Sequence, residues 1–215
     1  QRGVTVMWLE LALILIVCLG VVILGSNRLA TMIQLFALQS LVLSATPLLV
    51  HPGKHAVFMT MGTLILKVFL MPNLLFWAIR HVSIRREVQP LIGYGKTLML
   101  GGFLMGVAFW ISSRLELPVR ETSNLLVPCA FSVVMMGFLL LVSRFKAITQ
   151  VIGYLVMENG IFLFAVLLLE KTPLLVEMGI LLDIFAGVLV MGIVVNHINE
   201  EFGSTSTVNL TNLKD

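Results

Sequence analysis

Long apolar runs recur along the chain, and their spacing sets its architecture. A helix that crosses a hydrocarbon layer about 30 Å thick needs about 20 apolar residues, and seven such runs stand between short polar interruptions. They predict transmembrane helices over 8–25, 30–50, 56–79, 97–113, 124–143, 148–169 and 174–196. The interruptions carry Gly25-Ser26-Asn27-Arg28, His51-Pro52-Gly53-Lys54, the longer stretch 80–95, then 113–123, 143–146 and 170–173, so an extramembrane domain has no room to form. The first run lacks an A-x-A cleavage pattern and reads as a retained helix rather than a signal peptide. The chain begins at Gln1 without an initiator methionine, which leaves room for a segment upstream.

Composition supports the same class. Of 215 residues 59% are hydrophobic and 12% charged, where soluble domains have roughly 45–50% and about 25%. There is too little polar surface to clothe a soluble domain, and the expected class is an all-α integral membrane protein with seven transmembrane helices. The net charge of +3 is spread over interhelical loops and forms no continuous basic face, which argues against nucleic-acid binding. Arg28, Arg80, Arg85, Arg86, Lys96, Arg144, Lys146 and Lys214 follow odd helices, while Arg2, Lys54, Arg114, Arg120 and Lys171 lie on the other side. The positive-inside rule then predicts a multi-pass protein of the cell inner (plasma) membrane, with the N-terminus outside and the C-terminus cytoplasmic.

The plan divides into an amino-terminal three-helix unit over 1–96, a four-helix unit over 97–196 and a cytoplasmic tail over 197–215. Within it a helix pair recurs, read either as an internal duplication or as the likeness that apolar helices share by composition alone. The stretch 28–79 holds Met61-Gly62 and then Leu66-Lys67-Val68-Phe69, and 144–195 holds Met178-Gly179 and then Leu182-Asp183-Ile184-Phe185. A basic loop precedes each copy, so the repeat is parallel.

The informative residues are charges inside apolar runs. Lys67, Glu158 and Asp183 fall nine to eleven residues into their helices, about 13–17 Å from the membrane face at 1.5 Å per residue, and Gln39 shares their depth. Each charge costs about 2.5–3.5 kcal/mol at that depth, and three in one layer point to function. A single static ion pair between Lys67 and one carboxylate leaves the second acid unexplained. Carboxyl and ammonium groups buried in lipid titrate nearer neutrality than in water, so neighbouring members linked by water exchange protons at physiological pH. Pro72 deprives the Val68 carbonyl of its helical donor and permits a kink beside Lys67. Gly153 and Gly160 flank Glu158, and Gly179 and Gly187 flank Asp183, where ordinary close helix packing is the simplest account.

Other features carry less. His51 and His55 straddle Pro52-Gly53 without a third ligand, His81 and His197 fall at helix ends, and Glu177 reads as a solvated carboxylate at a helix start. Cys18 and Cys129 lie inside apolar runs, which argues against a disulfide framework or a cysteine-ligated cluster. The methionines are scattered as packing residues, and Asn209-Leu210-Thr211 is a chance glycosylation triplet on a cytoplasmic tail. No phosphate loop, catalytic triad or Cys-x-x-Cys pattern is present, so bond chemistry is not encoded and no cofactor or metal site is expected in this chain.

Leu155-Val156-Met157-Glu158-Asn159-Gly160, followed by Leu175-Val176-Glu177-Met178-Gly179-Ile180 and Asp183-Ile184-Phe185-Ala186, resembles the hydrogenase-4 membrane component E family. Leu38-Gln39-Ser40-Leu41-Val42, Leu66-Lys67-Val68 with Pro72, and the tail 208–214 resemble it too, so the likeness spans most of the chain. The resemblance implies a complex related to respiratory complex I, such as a group 4 nickel-iron hydrogenase or formate hydrogenlyase. Component E is in turn similar in its last helices to the K subunit of complex I and the C subunit of multisubunit antiporters. The K subunit has a membrane glutamate in each of two successive helices; Glu158 matches the first and Asp183 the second, one methylene shorter. In the amino-terminal copy Gln39 and Lys67 hold those positions, so that copy supplies a lysine where the other has an acid.

The expectation is therefore a non-catalytic membrane subunit of a redox-driven proton or sodium pump. Gln39, Lys67, Glu158 and Asp183 form part of its proton pathway. Nickel-iron and iron-sulfur centres are expected in partner subunits, which the resemblance describes as antiporter-like and hydrogenase or complex I-like membrane subunits of a hetero-oligomer. Two alternatives stay open at this point: a subunit of a cation/proton antiporter without a redox partner, and a structural membrane adaptor.

Overall fold

The computed structural model describes residues 2–50, 53–81, 93–115, 123–144, 146–167, 181–193 and 196. Helices account for nearly all of them. They are α1 (Arg2–Gly25), α2 (Leu29–Val50), α3 (Lys54–Thr63), a π-helical segment (Leu64–Leu70), α4 (Met71–His81), α5 (Tyr94–Arg114), α6 (Leu126–Ser143) and α7 (Ala147–Leu167), and then the apolar helix α8 (Leu181–Ile193). Helices α1, α2, α5, α6 and α7, together with the continuous rod Ala56–Arg80, give six helices long and apolar enough to cross a membrane, with α8 shorter. The chain is an all-α membrane protein. The first six expected spans coincide with these helices; of the expected seventh, 174–196, the described part is mainly α8.

Two departures from the expected helices have local causes. Helix α5 starts at Tyr94, ahead of the expected 97, because Gly93 takes φ +81, a conformation open to glycine, and breaks the chain there. The Gly93 carbonyl then accepts both the Thr97 N–H at 3.1 Å and the Thr97 hydroxyl at 2.9 Å, which closes the first turn. Between α3 and α4 the expected kink at Pro72 takes the form of a π-helical segment. Proline has no N–H and its ring crowds the carbonyl four residues back. The chain responds by widening: the Met71 N–H reaches the Leu66 carbonyl, one residue beyond its α-helical partner Lys67. Helix α2 solves the same difficulty at Pro47 without widening, since the Thr46 hydroxyl donates at 2.7 Å to the Leu43 carbonyl that proline leaves without a donor.

Helices α6 and α7 form the centre, with 61% of their most apolar window buried against 17% for α5. Their backbones touch. A Cβ on Gly160 would stand 2.6 Å from the Val134 nitrogen, one on Gly153 2.6 Å from the Leu141 nitrogen, and one on Gly137 would overlap the Met157 backbone. Glycines spaced along both helices therefore allow an approach that any side chain would prevent, as expected where van der Waals packing drives association in lipid. Helix α1 packs on α2, α5 and α6, and α2 packs on α7 and the π-helical segment. Ile16, Phe36, Leu43, Leu75, Val133, Leu155, Ala186 and Val190, among others, make one core from α1, α2, α4, α6, α7 and α8.

Arg144, expected in a solvated loop as a topology signal, is fully buried. Its Nη2 donates to the Leu24 carbonyl at 2.7 Å and the Ser26 carbonyl at 3.3 Å, and its guanidinium lies 5.3 Å from the Tyr94 ring centre. The last carbonyls of α1 have no helical donors, and a cation suits that end of the helix dipole. The arginine ties α1, α5 and α6 together at one end of the bundle.

Candidate functional site: a buried charge cluster

The four residues singled out in the sequence meet where α2, the π-helical segment, α7 and α8 converge. Lys67 stands at the centre. Its Nζ lies 2.8 Å from Glu158 Oε1 and 3.7 Å from Asp183 Oδ1, and donates to Asn159 Oδ1 at 3.3 Å. The Phe162 ring, one turn beyond Glu158 on α7, covers the ammonium at 5.5 Å from its centroid. Lys67 and Glu158 are 2% exposed and Asp183 4%, so solvent screening is absent.

Gln39 joins the cluster through Asn159 rather than by touching a charge. Asn159 Nδ2 donates to Gln39 Oε1 and to Ser40 Oγ, both at 3.2 Å, while Gln39 Nε2 donates to the Ile16 carbonyl at 3.0 Å. A continuous polar chain thus runs from Asp183 on α8, through Lys67, Asn159 and Gln39, to the α1 backbone. Gly20 on α1 makes room for it, since a Cβ there would meet Gln39 Nε2 at 3.4 Å and Met136 Sδ at 3.0 Å.

Sequence reasoning missed Asn159, Ser40 and Tyr154. Asn159 had a signal, an amide beside a membrane acid; adjacency on a helix, however, normally points two side chains apart. Here Lys67 reaches both, because it enters from a neighbouring helix between their directions. Tyr154 lies one turn before Glu158 on α7, with its ring edge-on to Phe185 at 5.9 Å.

Toward the α2–α3 connection the remaining hydroxyls are taken up by main-chain carbonyls. Thr63 donates to the Met59 carbonyl at 2.8 Å, Ser44 to Leu41 at 2.6 Å, and Thr60 crosses to the Ser44 carbonyl at 2.9 Å. His51, Glu177, His197 and Asn209 lie outside the described residues, as do the side chains of His55 and His81. Among the described residues no group of three or more His, Cys, Asp and Glu is placed to hold a metal ion. The two acids of the cluster face a lysine ammonium, which fills the place a bound cation would take.

The fold and this cluster define a polytopic α-helical membrane protein with a buried, three-charge site. The uncharacterized protein Rv0085 of Mycobacterium tuberculosis is 31% identical over 205 residues, covering 93% of each chain. Hydrogenase-4 component E of Escherichia coli strain K12 is 29% identical over 182 residues, 83% of this chain and 84% of that one, and the Shigella flexneri protein of that name matches equally. No family model and no solved structure matches the chain. The chain belongs to the hydrogenase-4 component E family.

Proposed function

We propose that the chain is a non-catalytic membrane subunit of a hydrogenase-type, redox-driven ion pump related to complex I, in which Gln39, Lys67, Glu158 and Asp183 form part of a proton path. The name hydrogenase-4 component E, carried by relatives over most of their length, supports membership of a hydrogenase complex. The observation that carries the proton path is the charge balance of the cluster. One ammonium faces two carboxyl groups in a dry interior. With both acids ionised, the site keeps a net negative charge in hydrocarbon; with one protonated, it is neutral. The cluster therefore has a place for one exchangeable proton, and moving the ammonium from one acid toward the other changes which acid holds it. Nickel-iron and iron-sulfur centres belong to partner subunits in this reading, and antiporter-like and complex I-like membrane subunits extend the path on either side. The N-terminus faces outward and the tail the cytoplasm.

The test is purification of the tagged complex in mild detergent, with subunits identified by mass spectrometry and metals by elemental analysis, followed by Glu158→Gln and Asp183→Asn. Nickel and iron with several membrane subunits, and loss of pumping by both variants at normal assembly, are expected. A metal-free set of antiporter subunits removes the redox half. Unchanged pumping in both variants overturns the proton path and leaves a structural adaptor.

A further inference from the structure

Four buried oxygens around the cluster have no hydrogen-bond partner among the described residues, and one of them, Glu158 Oε1, stands 2.8 Å from the Lys67 ammonium. The other three are the Tyr154 hydroxyl, Glu158 Oε2 and Asp183 Oδ1, the last at 3.7 Å from the same ammonium. Buried polar atoms left unpaired are uncommon, and a tyrosine hydroxyl taken out of water normally finds a partner. These three are close in the fold. Tyr154 and Glu158 are four residues apart on one face of α7, and Asp183 faces the same ammonium as Glu158 from α8. The Tyr154 ring packs against Phe185, two residues along α8 from Asp183, which fixes the hydroxyl at the α7–α8 seam. The set holds one donor and two acceptors.

We propose that Tyr154, Glu158 and Asp183 bind a buried water molecule, and that Tyr154 is the positioning residue through which a proton reaches the charge cluster from the Ala147 end of α7. A water accepts from the tyrosine hydroxyl and donates to Glu158 Oε2 and Asp183 Oδ1, which satisfies all three groups at once. An excess proton arriving on that water passes to Glu158: the hydronium loses one proton, the carboxylate gains it, and the phenol keeps its own. This assignment deepens the proton path proposed above and gives it a direction, one helical turn or about 6 Å from Glu158 toward the start of α7.

The experiment uses the intact complex in membranes and reads two signals. Infrared difference spectra in ordinary water and in water labelled with oxygen-18 identify a bound-water stretching band, and Glu158→Gln identifies the carboxyl band of Glu158. Tyr154→Phe keeps the ring on Phe185 and deletes only the hydroxyl. It is expected to abolish the water band, shift the Glu158 carboxyl band toward weaker hydrogen bonding, and slow proton translocation about tenfold at unchanged assembly. An unshifted carboxyl band in Tyr154→Phe overturns the proposal. So does the lack of any isotope-sensitive water band in the unmodified complex, a result that needs no variant. The two readings separate cleanly: normal pumping by both Glu158→Gln and Asp183→Asn removes the proton path while the water band still tests the site, and loss of pumping by those variants with silent spectra for Tyr154→Phe removes the water site alone.

Discussion

Replacing Lys67 by methionine keeps most of the length and the apolar volume of the side chain and deletes the charge that faces two buried acids. Lys67, Glu158 and Asp183 are almost fully buried, so neither water nor salt compensates for the loss. Removing one partner from a buried ion pair costs about 3–5 kcal/mol, because the other charge is left unpaired. The lost hydrogen bond to Asn159 adds about 0.6 kcal/mol by the measured average for bonds inside membranes, and the contact with Phe162 adds about as much. The sum is about 4–6 kcal/mol, comparable with the whole stability of an ordinary domain. The cost is electrostatic and therefore reversible: neutralising the acids by Glu158→Gln and Asp183→Asn in the Lys67→Met background removes the uncompensated charge, and most of the stability returns. The assay is denaturant unfolding of the purified protein in detergent, followed by circular dichroism, with the coupling taken from the mutant cycle. A Lys67→Met protein as stable as the parent refutes the reasoning, and so does one whose loss is untouched by neutralising both acids.

Other expectations follow from single contacts. Gly160→Leu pushes a side chain into the Val134 and Ala130 backbone and is expected to prevent stable packing of α6 on α7, whereas Gly62→Ala, with open space around it, is expected to be neutral or to stabilise by about 0.5–1 kcal/mol; accumulation in membranes and detergent unfolding distinguish them. Thr46→Val deletes the hydroxyl that satisfies the Leu43 carbonyl beneath Pro47 and is expected to cost about 1 kcal/mol in the same unfolding assay. Pro72→Ala restores a backbone donor and lets the widened turn revert to α-helix, which rotates Lys67 away from its acids; the expected result is a complex recovered at normal yield with depressed translocation.

Much of the fold was legible because lipid imposes one rule, that backbone groups be satisfied within the helix, and runs of about 20 apolar residues follow from it. The cluster was legible by depth. Gln39, Lys67, Glu158 and Asp183 each stand near the middle of an apolar run, and charge there is costly enough to be a signal on its own. Which helices adjoin was not legible, since lipid-facing and protein-facing sides are equally apolar. Phe103 and Phe36 look alike in sequence, yet the first is exposed and the second fully buried. The burial of Arg144 was hidden for the opposite reason. An arginine at a helix end reads as a topology signal, and only the arrival of the α1 terminus beside it turns it into a cap. Pro72 announced a break, but whether the chain kinks or widens depends on what the freed turn must reach.

The two sides of the cluster are built differently, and this difference bears on how it works. Glu158 and Asn159 ride on α7, whose glycines lock it against the backbone of α6 above and below them at Gly153 and Gly160. Backbone contact of that kind leaves no slack, since interiors at close packing do not yield by small amounts. Lys67 instead sits in the middle of a π-helical segment, where the Met71 N–H has already changed partner and Pro72 offers no donor to restore the α-helical register. Asp183 rides on α8, whose own Gly187 faces only the end of a methionine side chain, Met71 Cε, at an ordinary 3.5 Å. The acid and amide on α7 are thus the fixed reference of the site, and the lysine is the member carried on a segment whose register departs from the α-helix. A lysine with 2.8 Å to one acid and 3.7 Å to the other is shared between them unequally, and the helix that brings it there is widened at that point.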